Sequence, residues 1–175
     1  MKLFDILPCE KWIEFEKEIN RRSGLNASVF DADGIRITDF KKWANKLCPL
    51  VKMNEKGQQF ICAVAHQVIA SEAMKTKEAV VEECDAGLMK LAVPIFVNDA
   101  FMGIIGGCGL LRIGGSVETY LVHKVTDIDL KDIEVLATDV NVIESEKIYS
   151  TAEYIKDRLD QILHDYSMQS AAINE

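Results

Sequence analysis

The chain has 175 residues, 49% of them hydrophobic, and a formal net charge of −8. That length suits one domain, or one domain with an extension, and the composition is ample for a packed core. The acidic balance and the scattered basic residues, with Arg21-Arg22 the densest pair, argue against nucleic acid or an anionic membrane surface as a partner.

No apolar run approaches the ~18 residues that span a bilayer. Met1 to Pro8 is too short and interrupted for a signal peptide, so the expected location is cytoplasmic. Five cysteines is an odd number and speaks against a secreted disulfide framework. In a reducing compartment they are free, metal-bound or redox-active.

Residues 9–23 read as a helix, with Trp12, Phe15 and Ile19 on one face and Gly24 as its left-handed cap. Asn26 to Phe30 alternates as a strand. Asp31-Ala32-Asp33-Gly34 is a turn, and Ile35 to Thr38 reads as the returning strand of a hairpin. A helix over 40–53, broken near Pro49, and a longer one over 57–76 follow. The second carries the stripe Cys62, Ala65, Ile69 and Ala73, with His66 one turn after Cys62.

Three strands are expected next, over 78–84, 88–97 and 101–111, the last two joined by a tight turn at Asn98-Asp99. Gly103, Gly106, Gly107 and Gly109 in the third strand imply close approach, by a ligand or by a packed neighbour. Short helices over 117–125 and 130–140 precede a long one over 145–168. There Ile148, Ala152, Ile155, Leu159, Ile162 and Tyr166 recur at alternating spacings of 4 and 3, a heptad seam. Ser167 to Ser170 is expected to fray.

The fold class expected is α+β: a five-stranded antiparallel sheet of the PAS/GAF kind, covered by helices, with a long C-terminal helix. Residues 1–144 form the expected sensory domain. Residues 145–175 form an amphipathic helix for dimerisation or signalling, although the same stripe also suits packing on the chain's own sheet.

Cys48, Cys62, Cys84 and Cys108 each sit at the edge of an element and are the leading site candidates, together with His66, Gly87, Gly106 and Gly107. Their separations of 13, 21 and 23 residues contain no Cys-x-x-Cys, so no zinc-ribbon or ferredoxin pattern is present. Convergent thiolates suit zinc or an iron–sulfur cluster, with His66 as an alternative ligand. Free cysteines are also simply among the most buried residue types. An apolar pocket partly lined by thiols is therefore the favoured reading, ahead of a metal site or a thiol redox sensor. Trp43 and Phe60 flank the same region and are candidate pocket walls. Glu82, Glu83 and Asp85 read as a solvated strand edge, with Cys9 incidental. Catalysis by Cys84 with His66 as base ranks lower, because no nucleophile elbow, phosphate loop or dinucleotide fingerprint accompanies them.

Cys48-Pro49-Leu50, Cys62, Cys84-Asp85-Ala86-Gly87-Leu88, Val93-Pro94-Ile95 and Gly106-Gly107 together resemble the PocR family of bacterial sensory domains, over roughly residues 8–165. The resemblance implies a PAS-like fold that senses small hydrocarbon derivatives such as short diols. It is a family usually joined to a transcription factor or kinase. Relatives often carry Gln where this chain has Cys108, and no output domain is recognisable here. The resemblance therefore implies a stand-alone, non-enzymatic sensory domain with a small-molecule ligand. Its output would pass through a homodimer or a separate signalling protein.

Overall fold

The computed structural model describes residues 1–173, with side chains through Ser170; residues 174–175 of the expected C-terminal segment lie outside the described residues. A short helix α1 (Leu3–Ile6) leads into α2 (Cys9–Ser23), which ends at Gly24 as the sequence predicts. Trp12, Phe15 and Ile19 are buried, and the Trp12 indole N–H donates to the Leu3 carbonyl at 3.1 Å, fixing α1 against α2.

Strand β1 (Asn26–Asp31) runs into the expected turn, where Asp31 Oδ1 accepts from the amides of Asp33 and Ile35. The returning strand expected over 35–38 does not form; only a single bridge links Phe30 and Arg36. Side chains pin the segment instead. Thr38 Oγ1 donates to the fully buried Glu16 Oε1 at 2.6 Å, and the Val29 amide donates to the same oxygen at 2.9 Å. The Arg36 guanidinium lies 3.6 Å from that carboxylate and donates to the carbonyls of Ala27 and Phe40. A charged tether thus replaces a strand ladder.

The helix expected over 40–53 begins only at α3 (Leu47–Met53). Buried Asn45 sets its start: its Oδ1 accepts from the Cys48 amide, and its Nδ2 donates to the Gly109 carbonyl at 2.6 Å. Pro49 falls in the first turn, where a missing N–H costs nothing, so it begins the helix rather than breaking it. The 57–76 helix is composite. A single turn α4 (Glu55–Gly57) passes into a π-helical segment (Gln58–Ala63) and then α5 (Val64–Thr76).

Strands β2 (Val80–Glu83), β3 (Met89–Val97) and β4 (Ala100–Arg112) follow, with Asn98 and Asp99 both at positive φ in the β3–β4 turn. The strand order β1-β4-β3-β2 is antiparallel throughout. The fifth strand of the sheet is not the one expected after the first turn. It is β5 (Val142–Ile143), which joins the end of β4 in parallel. Helices α6 (Thr119–Thr126) and α7 (Leu130–Ala137) precede it, and α8 (Ser145–Ile173) closes the chain. The stretch expected to fray, 167–170, continues this helix.

The pleat divides the sheet residues between two layers. Val29, Leu91, Val93 and Ile105 face α2 and α8, and Ile148, Ile155, Leu159 and Ile162 are buried in the same core. The seam anticipated as a dimer surface is thus occupied by the chain's own sheet. Phe15 and Tyr154 meet edge-to-face at 6.2 Å, and the Arg22 guanidinium stacks 3.8 Å over the Tyr154 ring. The opposite face carries α3, the π segment and α5. Glu82, Glu83 and Asp85 are exposed at the outer strand, where Glu83 pairs with Arg112. Among the described residues no helix is long and apolar enough to cross a membrane.

Candidate functional site

A cavity of about 200 Å³ lies between the second sheet face and its helical cover. Asn26, Ser28 and Phe30 of β1 and Ile104, Gly106 and Cys108 of β4 line the sheet side. Cys48 and Lys52 of α3, Gln58 and Cys62 of the π segment, and His66 of α5 line the helical side. Gly34, Arg36 and Trp43 come from the tethered loop, and Cys84 and Leu88 complete the far end. A larger cleft of about 470 Å³ runs between α2 and α8, but Lys11, Glu14, Glu18, Arg158 and Asp165 make it a charged surface groove.

Cys48, Cys62, Cys84 and Cys108, distant in sequence, thus border one space, together with His66, Gly106 and Gly107. Gly87 does not line it. This residue sits in the turn after Cys84, where its amide donates to the Cys84 carbonyl at 2.7 Å. Of the two aromatic candidates, Trp43 lines the cavity, whereas Phe60 is 51% exposed on the outer helical face. Two of the β4 glycines answer to neighbouring backbone. A Cβ at Gly106 would fall 1.9 Å from the Leu91 carbonyl oxygen, and one at Gly103, which has φ +141°, 2.0 Å from that of Phe30. Close strand approach requires Gly103 and Gly106, whereas a Cβ at Gly107 would meet the Leu25 side chain and one at Gly109 the side chains of Ala44, Asn45 and Cys48.

Burial keeps Cys48, Cys62 and Cys84 protonated. Burial pushes the Cys48 thiol far above its ordinary range, the adjacent Cys108 adds to this, and the Asn45 Nδ2–Sγ contact at 3.2 Å opposes it. Burial also raises Cys62, against the pull of Lys52, and raises Cys84 against hydrogen bonds from the Leu88 and Ala86 backbone. His66 goes the other way: burial, with smaller contributions from Lys90 and Lys52, lowers it to about 4. Its ring packs on Phe30 with centroids 4.0 Å apart. Neither ring nitrogen has a hydrogen-bond partner in the protein, and the buried Gln58 Oε1 also lacks one.

An activated nucleophile needs a base in hydrogen-bond contact and a lowered pKa. Cys48, Cys62 and Cys84 have raised values, and His66 bonds to none of the cavity thiols. Among the described residues no three His, Cys, Asp or Glu side chains form a group that could hold a metal ion. In this arrangement the cysteines border a cavity without closing on a common point. Sequence reading missed Lys52, Lys90, Gln58 and Asn45. As polar residues on helical or strand patterns they read as solvent-facing, and only the topology turns them inward.

No curated protein and no solved structure matches the chain. The family model described as the sensory domain found in PocR matches residues 5–166, nearly the whole of the described fold. With an α+β sheet, a covered cavity and this match across its length, the chain belongs to the PocR sensory-domain family.

Proposed function

We propose that this is a cytoplasmic sensory domain that binds a small, mostly apolar metabolite, a short hydrocarbon derivative such as an alcohol or diol, in the cysteine- and glycine-lined cavity. The observation that carries this reading is that three residues of the cavity lining hold buried polar atoms without a partner in the protein: both ring nitrogens of His66, Oε1 of Gln58 and Nε of Arg36. Buried polar groups are almost always hydrogen-bonded, so these atoms call for a partner that is not protein. Phe30, Ile61 and Ile104 supply apolar surface beside them. Protonated thiols suit lining rather than catalysis, and binding rather than turnover is the role. Occupancy is relayed by protein contact, to a second copy or to a separate signalling protein.

A thermal-shift screen of short alcohols, diols and acids tests the reading. A ligand at about 100 times its Kd stabilises the fold by about 2.7 kcal/mol, a rise of about 5–10 °C for a chain of this size. Trp43, in the cavity wall, gives an independent fluorescence signal. No stabilisation by any compound would count against the cavity as a ligand site. Near-stoichiometric zinc or iron in anaerobically purified protein would assign the thiols as ligands instead.

A further inference from the structure

Lysine side chains normally stay in water, because desolvating an ammonium is costly. Every other described lysine of this chain is exposed; Lys52 and Lys90 alone are half-buried, and both line the same cavity. They approach from opposite walls, Lys52 from α3 and Lys90 from β3. Among the described residues neither has a carboxylate within ion-pair distance or a side-chain hydrogen bond, whereas Lys46, Lys56, Lys77 and Lys156 are each paired at the surface. Of the other charged groups nearby, Arg36 meets Glu16 and two carbonyls through Nη2 and leaves Nε without a partner, Asp33 sits exposed in the turn at the cavity edge, and Glu82, cross-strand from Lys90, is exposed at the outer strand.

We propose that the ligand of this cavity carries an anionic head, and that it is a short aliphatic carboxylate held between Lys52 and Lys90. The proposal rests on the reading of the cavity as the ligand site and narrows its chemistry. Two half-buried lysines, neither in an ion pair, are compensated by one carboxylate through charge-assisted hydrogen bonds. The volume of about 200 Å³ falls below the ~300–1,000 Å³ of pockets for drug-sized ligands, so the apolar body is a few carbons long. Phe30, Ile61 and Ile104 meet that body. His66 is held neutral by burial and by the two lysines, which leaves one nitrogen to donate and one to accept beside the head group.

The test pairs acids with neutral counterparts of the same size: lactate with 1,2-propanediol, propionate with 1-propanol and butyrate with 1-butanol. Binding is read by Trp43 fluorescence and calorimetry on the full chain, and on Lys52→Gln and Lys90→Gln. At least one acid should bind about 10-fold or more tightly than its counterpart, and each substitution should weaken it by about 10-fold and so narrow the acid-to-neutral ratio. Neither lysine holds a protein partner, so both variants should melt within a few degrees of the parent. If one fails to fold, the acid-to-neutral ratio in the parent decides alone. Neutral compounds binding as tightly as the acids, or acid binding indifferent to both substitutions, would overturn the anionic head and leave the cavity as a ligand site. No binding by either class would overturn both.

Discussion

Leu159 distinguishes a helix that belongs to the fold from one that awaits a partner. It is 2% exposed and lies in the core with Val93, Ile155 and Ile162. Removing a buried leucine side chain to alanine costs about 2–5 kcal/mol, the spread reflecting how far the site can collapse. For a chain of 150–250 residues each kcal/mol lowers the melting temperature by about 2–4 °C. At a central value of about 3 kcal/mol, Leu159→Ala should melt about 6–12 °C below the parent by circular dichroism. Asp157→Ala, two residues earlier and exposed, should change little. Leu159→Glu places an unpaired carboxylate in the same spot and removes most of a total stability of about 5–15 kcal/mol. Were the seam an interface between copies, the parent would melt at a temperature that rises with concentration, and Leu159→Glu would yield a well-folded monomer by light scattering. That pair of results would refute the packing described here.

His66 should make the domain acid-sensitive. With its value lowered from 6.5 to about 4, the unfolded chain binds the extra proton between those limits, so stability falls as pH drops from 6.5 towards 4. The side chain is only partly buried, which reduces the effect to about 1–2 kcal/mol. Glu16, raised by burial, contributes in the opposite sense, since its share of stability is lost as pH rises through its folded value. Denaturant melts of the parent and of His66→Gln across pH 4–7 isolate the histidine; identical slopes would show that it does not titrate in this way. Glu16→Ala should cost about 3 kcal/mol or more, because it strands the Arg36 guanidinium and the buried Val29 amide, and Glu16→Gln should cost less. Equal melting temperatures for the two would deny the tether. Native Cys48, Cys62 and Cys84 should react with an aromatic disulfide reagent at pH 7.5 at least about 10-fold more slowly than in denaturant; faster reaction by any of them would reveal a thiolate and reopen the redox reading.

Much of the architecture is written in local pattern. Trp12, Phe15, Ile19 and Gly24 define α2 to the residue, and Asn98-Asp99 defines the β3–β4 turn. What local pattern lacks is the destination of a polar side chain. Glu16 looks like a solvated spacer on an amphipathic helix, yet it is fully buried and pulls Thr38 and Arg36 out of the expected hairpin. The two residues of β5 have no periodicity to detect, and their strand character comes from β4. The lining of the candidate cavity was legible in part. Cys48, Cys62, His66, Cys84 and Cys108 could be singled out by residue type and position at element edges, because cysteine and histidine carry chemistry wherever they fall. Lys52 and Lys90 could not, since a lysine read alone belongs to the surface.

The alternation along β1 and β4 has an evolutionary consequence. Ser28 and Ile104 line the cavity, while their chain neighbours Val29 and Ile105 are buried beneath α2 and α8. Under the proposed function adjacent codons therefore answer to different selection, one to the shape of a small molecule and the packing of α5, the next to the core beneath α2 and α8. On that reading a lineage can change a cavity position such as 28 and acquire a new chemical stimulus while the opposite layer stays as it is. The pleat makes a modular receptor of a single sheet: one scaffold inherited intact, with a recognition surface that diverges residue by alternate residue.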